Sequence, residues 1–357
     1  MLNLPFKNVL LVKRILDKIK TFDKPIRIME VCGSHTMAIH KDGLDSVLPS
    51  NIKFISGPGC PVCVTSENFI DDLITLSHNN DFIIASFGDL ARVPGILGNL
   101  QEASAEGGNI KYIYSPSEVI KIAEENKDKK IVFPAIGFET TAPLTAMLLL
   151  EAKNKNIENI FILNALKTMP RAIELMAEDK DACIDAFLLP GHVSSVIGAT
   201  VYNFLPDKYK KNAVVSGFEP LDIIYSVFMI AMQIKKGECR VENQYSRCVT
   251  EQGNLTAQKI VSDFFEPSSS DWRGLGTIEN SGLSLRSEFK KFDASQFLPE
   301  GQIQKNRQTP CICGEILKGI KTPVDCPLFA EECQPDNPIG ACMVSQEGAC
   351  NVWFKYK

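Results

Sequence analysis

Between about residues 25 and 235 the chain repeats one pattern: a short apolar run rich in β-branched residues, a turn carrying glycine or serine, then a stretch with helical spacing of its apolar positions. The runs are IRIMEV, IKFIS, FIIAS, IKYIY, IVFPAI, NIFIL, DAFLL and AVVSGF. Such alternation predicts strands separated by helices, hence an α/β fold with a mostly parallel sheet. The segment 107–130 ends in the charged, helix-like connector EENKDKK, which divides the predicted strands into two sets of four. Two α/β lobes facing each other across a cleft follow from this division, spanning 25–125 and 126–238. Residues 1–24 read as an amphipathic helix, expected to pack on the C-terminal domain. From 239 to 357 the pattern loses its regularity, passing through EPSSSDWRGLG to a run of cysteines. A third, less regular domain is expected there.

The length supports several cores: 357 residues, 45% of them hydrophobic, exceed the roughly 250–300 at which one core usually splits. A net charge of −5, from 38 basic and 43 acidic residues, is too small and too mixed to imply a nucleic-acid track or a membrane-surface patch. No run approaches the ~18 apolar residues of a membrane span, and the N-terminus lacks the long apolar core of a signal peptide. A soluble, cytoplasmic protein is therefore expected.

In open parallel sheets ligands bind beyond the carboxyl ends of the strands. The turns at those ends carry unusual chemistry: CGSHT (32–36), GPGCPVC (57–63), FGDLARVPG (87–95), GFETTAP (137–143), NALKTMP (164–170), PGHVSS (190–195) and GFEPLD (217–222). Cys32 ends a strand and opens a helix, a position that lowers a thiol pKa and favours the metal-binding thiolate; a packed strand-end cysteine is the other reading. His35 beside it is either a hydrogen-bonding neighbour of that sulfur or a local cap. Cys60 and Cys63 have the spacing of half a zinc site or of a reversible disulfide, and no second half follows nearby. Pro61 stiffens their turn, and Gly57 and Gly59 permit unusual dihedrals, which suits a preorganised redox couple, with packed thiols as the alternative. Glu139, Thr140, Thr141, His192 and Ser194 sit at matching strand ends. Glu139 and His192 read as lining the cleft opposite Cys32, against a structural role in holding their turns. Asp89, Arg92 and Glu219 read as architectural or partner-binding. No Walker A sequence or six-residue glycine fingerprint is present, so nucleotide binding has little support.

Twelve cysteines would suit a disulfide scaffold only in a small secreted chain, which leaves metal or redox chemistry as the explanation. Six of them, Cys311, Cys313, Cys326, Cys333, Cys342 and Cys350, fall near the C-terminus, and none of the four histidines lies there. The intervals of one, twelve, six, eight and seven residues lack the two close pairs of a zinc site. An iron–sulfur cluster takes four thiolates and tolerates wide spacing, so a [4Fe–4S] cluster is preferred over zinc or packed thiols.

CGSHT, GPGCPVC, FGDLARVPG, GFETTAP, PGHVSS, GFEPLDI, VENQYSR and the terminal CxCG…CPLF…C…GACMVSxEGAC follow one another in the order of the HypD family, which the chain resembles over nearly its whole length. The resemblance implies two Rossmann-like lobes and a third domain holding a [4Fe–4S] cluster. It implies a role in [NiFe]-hydrogenase maturation, assembling the Fe(CN)2CO group with a small chaperone of the HypC type and a cyanide donor of the HypE type. Matched to the family's motifs, Cys311, Cys326, Cys333 and Cys350 would hold the cluster, with Cys313 able to stand in for Cys311. Cys313 and Cys342 are then left as a redox pair beside the cluster or as packed thiols. Cys32 would hold the iron under assembly, Cys60 and Cys63 would exchange two electrons, and Glu139 and His192 would orient cyanide or protonate a departing group. One departure is visible, since Leu166 stands where the pattern has a histidine before Lys167. The expected activity is that of a redox-active scaffold rather than a conventional turnover enzyme. The alternatives are a free-standing iron–sulfur thiol/disulfide oxidoreductase and, third, a nucleotide-dependent enzyme.

Overall fold

The computed structural model describes residues 9–299 and 309–357. Each of the apolar runs forms a strand: β1 (Ile26–Glu30), β2 (Ile52–Ser56), β3 (Phe82–Phe87), β4 (Ile110–Ile113), β5 (Lys130–Gly137), β6 (Ile160–Leu166), β7 (Ala186–Pro190) and β8 (Asn212–Ser216). A further short strand, β9 (Val241–Asn243), is followed by an antiparallel hairpin of β10 (Phe265–Trp272) and β11 (Gly276–Leu285). One sheet has the order β2-β1-β7-β8-β9 and the other β4-β3-β5-β6, every neighbouring pair in both being parallel. The protein is thus α/β with parallel sheets.

The strands do not divide at residue 125. The chain lays down β1 and β2, crosses to build β3 to β6, and returns to finish the first sheet with β7, β8 and β9. The connector that suggested a boundary is the end of the helix Ser117–Glu125, which buries Val119, Ile120, Ile122 and Ala123 in the core of the second sheet, together with the turn that leads from Asn126 into β5. Its charges lie on an exposed helix end and turn within one sheet's connections. The helix Val9–Ile19 packs on the first sheet, its Ile15 and Ile19 buried with Ile223, Val227 and Ile230 of the helix Pro220–Lys236, not on the C-terminal region. Residues 1–8 of the helix expected there lie outside the described part. The region after 239 is spread over the molecule: β9 extends the first sheet, while Phe264, Phe265 and Leu285 join the core of the second. Cys326, Cys333, Cys342 and Cys350 share a core with Cys60, Cys63 and Val64.

Each sheet has one place where consecutive strands depart in opposite directions, between β1 and β7 in the first and between β3 and β5 in the second. Crevices open at the carboxyl ends of such strand pairs. The first is flanked by Cys32 and His192, the second by Asp89 and Glu139. Among the described residues no helix is long and apolar enough to cross a membrane.

Candidate functional site

Cys32 leaves β1 in extended geometry and caps the helix Gly33–Lys41, its carbonyl accepting the N–H groups of His35 (2.9 Å) and Thr36 (3.1 Å). Behind it lies Glu30, which is buried; its Oε2 accepts the Cys32 N–H at 3.2 Å and its Oε1 accepts the Thr36 hydroxyl. Burial pushes the Glu30 carboxyl up to about 8, so it is a neutral prop under the Cys32 turn at physiological pH. The expectation that the helix N-terminus favours a thiolate at Cys32 is not met. Burial, then the negative charge of Glu347, push the thiol up to about 12. Desolvation outweighs the partial charge of a helix end, so metal must displace a proton to bind here.

The Cys60–Cys63 turn lies directly on this one. Gly33 N–H donates to Gly59 O at 3.2 Å, and a Cβ on Gly59 would stand 2.3 Å from Cys32 N. A Cβ on Gly57 would stand 2.9 Å from Glu30 O. These glycines serve close approach of two backbones rather than unusual dihedrals, since neither has positive φ. Within the turn the thiols are unequal. Burial raises Cys60, but hydrogen bonds from the Cys63 thiol, the Ser345 hydroxyl and the Cys63 N–H (3.3 Å) outweigh it and hold Cys60 below an ordinary thiol. Cys63 is raised by burial and by its neighbours Cys342 and Cys60. Cys60 is therefore the better thiolate of the pair, and Cys63 faces Cys342.

On the opposite wall Phe218 lies between two imidazoles, with ring centroids 4.6 Å from His35 and 3.9 Å from His192. His35 Nε2 lies 2.9 Å from Gly217 O; a carbonyl only accepts, so Nε2 carries the hydrogen. Burial holds His35 down to about 4, and the ring is neutral, bonded to that carbonyl rather than to the Cys32 sulfur. The turn that presents Phe218 is anchored by buried Asp222, which takes both Arg247 and Gln244 Nε2 (2.8 Å). These partners are the part of VENQYSR to which sequence reasoning gave no role. His192 is exposed, and Ser194 Oγ is used in bonding Pro190 O at 2.8 Å.

Glu139 sits apart from this group. It is buried at the second crevice, its Oε1 accepting Met169 N–H at 2.9 Å, and burial pushes it up to about 7. Burial raises the phenol of fully buried Tyr202, and the nearby Glu139 and Cys32 raise it further. Leu166 is packed in the second core, and Lys167, held down to about 8 by burial, gives its Nζ to Ser270 Oγ (2.8 Å) and Asp271 O (2.6 Å).

The C-terminal thiols gather behind Cys63. Cys311 reaches both Cys313 and Cys326, and its thiol is raised, first by Cys313 and then by burial. Cys350 is raised by burial and by Cys342, Cys311, Cys333 and Cys326. Ile339 N–H points at Cys333 Sγ (3.4 Å), and a Cβ on Gly340 would stand 3.0 Å from Cys311 Sγ. Cys342 links this group to the turn of Cys60 and Cys63. Arg273, which sequence reasoning missed, is buried beside Cys313, Cys342 and Cys63, donating to Thr65 O (2.7 Å) and Pro94 O (2.6 Å). Only its position after a Trp in a polar stretch marked it. Among the described residues no group of three or more His, Cys, Asp or Glu side chains is already closed to metal-binding geometry.

The family model described as the hydrogenase formation hypA family, HypD, matches residues 9–357. A protein of Methanocaldococcus jannaschii to which a hydrogenase expression or formation role is attributed is 45% identical over 350 residues, covering 97% of each chain. The hydrogenase maturation factor HypD of Escherichia coli K12 is 44% identical over 338 residues, 94% of this chain and 91% of its own. The HypD of Cupriavidus necator is 40% identical over 362 residues, 98% and 96% of the two chains.

Proposed function

The chain belongs to the HypD family of hydrogenase maturation factors, and on that premise we propose that it is a redox-active scaffold on which iron is held while cyanide and carbon monoxide are attached. The observation that carries this reading is the contact between two turns, with Gly33 N–H on Gly59 O at 3.2 Å, which sets an anchoring thiol beside a dithiol. Cys32 is the anchor in this chain, and a thiolate from a small chaperone of the HypC type completes the hold on the iron. A HypE-type partner delivers cyanide on the side of His192, whose exposed ring is stacked on Phe218 and hence fixed in direction. Oxidation of the Cys60 and Cys63 thiols to a disulfide releases two electrons and two protons. Cys60, the readier thiolate, is the member that attacks in exchange or leaves when the disulfide is reduced, and Cys63 lies against Cys342.

Cys311, Cys326, Cys333 and Cys350 fit a [4Fe–4S] cluster: four thiols share one neighbourhood, and a backbone N–H already points at Cys333 Sγ. Bound there, the cluster supplies one-electron chemistry. Cys313, against Cys311, remains the alternative ligand. The chain's own contribution is the line of sulfur from this group through Cys342 to Cys63. Glu139, buried at the end of β5 with Tyr202 near both it and Cys32, is the group that would orient cyanide or give a proton to a departing group.

Infrared spectra of the complex with the chaperone test the reading. The parent should show bands in the cyanide and carbonyl stretching region, and Cys32→Ala should lose them while keeping the absorbance of the terminal cluster. Bands that survive in Cys32→Ala would overturn Cys32 as the anchor. Turnover of a disulfide substrate by the protein alone, with an electron donor and no partner, would favour the oxidoreductase instead.

A further inference from the structure

Glu347 reaches the Cys32 turn from the far end of the chain. Ser34 Oγ donates to its Oε1 at 2.6 Å, and a Cβ on Gly33 would stand 2.5 Å from its Cβ and 3.2 Å from its Oε2. Gly33 is thus what lets a carboxylate lie against the peptide that follows Cys32. The loop that brings it is fixed: Glu347 N–H donates to Ser345 Oγ (3.2 Å), Gly348 N–H to Ser345 O (3.0 Å), and a Cβ on Gly348 would stand 2.2 Å from Cys342 O. The negative charge of Glu347 is felt by Cys32, Cys60 and His192 together, disfavouring both thiolates and favouring the imidazolium. A carboxylate and a latent thiolate this close repel one another until a cation stands between them.

The geometry points to Glu347 as the second ligand, with Cys32, for a ferrous ion as it arrives on this chain. The inference rests on the reading of Cys32 as the iron anchor. Oε1 is committed to the Ser34 hydroxyl, which aims the carboxyl group, and Oε2 is the ligating atom. As the metal–sulfur bond forms, the Cys32 proton passes to solvent and bound water leaves the metal. Carboxylate oxygen suits a hydrated divalent ion, while thiolate suits the softer state that follows. Glu347 therefore captures the ion and yields its position as strong-field ligands are added. This chain supplies two donors, and the remaining positions fall to water or to a partner's thiolate.

The test uses Co(II) as the probe, titrated anaerobically into the reduced full-length chain and followed by sulfur-to-cobalt charge-transfer absorbance. The fitted signal is the part that Cys32→Ala removes. Glu347→Gln, which keeps the shape and can still accept from Ser34, should weaken that binding by about tenfold or more, as loss of metal-site partners commonly does. Unchanged affinity in Glu347→Gln, with the signal still lost in Cys32→Ala, would overturn Glu347 as a ligand and leave the anchor standing. A signal that Cys32→Ala does not remove would overturn the anchor itself. Should Glu347→Gln lose its native circular dichroism, Glu347→Asp is read in the same way. The shorter arm should bind cobalt more weakly, and parent-like affinity would overturn the proposal.

Discussion

In the first sheet the strand directions part between β1 and β7, in the second between β3 and β5, and each parting leaves a crevice at the strand ends. What fills the two is different. In the first, two turns meet backbone to backbone, Cys32 lies against Gly59, and the segment from Cys342 to Cys350 covers both with sulfur and a carboxylate. In the second, the helix Leu255–Phe264 and the hairpin of β10 and β11 close over Glu139, leaving a cavity of about 200 Å³ lined largely by apolar side chains such as Ala142, Val261, Phe265 and Leu283. Topology makes a place for chemistry, and the loops that arrive there decide which. One crevice gathers thiols that can change state; the other buries an acid whose proton is held up to about pH 7.

The sharpest way to break this contrast is through the glycines. Gly59→Ala would drive a Cβ to 2.3 Å from Cys32 N and 2.4 Å from its Cα, where neither backbone can yield. It should cost about 3 kcal/mol or more, read from the midpoint of urea unfolding. Gly88→Ala, at the second crevice, meets nothing within 4 Å and should shift stability by less than about 0.5 kcal/mol. Equal effects would mean the first crevice is no tighter than the second.

Next in size is the acid at the second crevice. Burial raises Glu139 from 4.5 to about 7, so the folded state holds a proton that the unfolded state gives up. A raised pKa contributes stability that is fully present below the unfolded value and is lost as pH rises through the folded one. Glu139 should therefore contribute a fall in stability on the order of 3 kcal/mol between about pH 4.5 and pH 7, on top of the falls from Glu30 and Asp72, which burial raises to about 8 and about 6, and Glu139→Gln should make the curve shallower by that amount. A slope unchanged in the variant would place the titration elsewhere. The smallest effect belongs to the aromatic wall of the first crevice. Phe218→Leu removes both ring contacts, should cost about 1–2 kcal/mol, and should let the His192 pKa rise as the ring that buries it is lost. A His192 titration unmoved in NMR would show that Phe218 does not shield it.

The strands were legible because each is a run of β-branched residues ending in a turn, and all eight runs form strands. Their division between sheets was not. A charged connector looks the same between two domains as between a helix and the next strand of one sheet, and only pairing partners tell β7 that it returns to β1. The thiols were legible as residue types, but the physical state of Cys32 was not, because burial and the field of Glu347 come from segments far away in sequence. Glu347 and Arg273 went unnoticed for the same reason, since nothing local marks a carboxylate or guanidinium that matters through a contact with the other end of the chain.

The return of the chain to its first sheet sets an order of events during synthesis. β2 ends at Ser56 and β7 begins at Ala186, so β1 stands with one edge unpaired while about 130 further residues are made. At ribosomal rates of about 5–20 residues per second that is a wait of roughly 6–26 s. The second sheet, continuous from β3 to β6, can be completed in the interval and is nested inside the unfinished first one. The covering segment around Glu347 lies 313 residues beyond Ser34, so the turn that carries Cys32 stays uncovered on the nascent chain long after both sheets have been laid down.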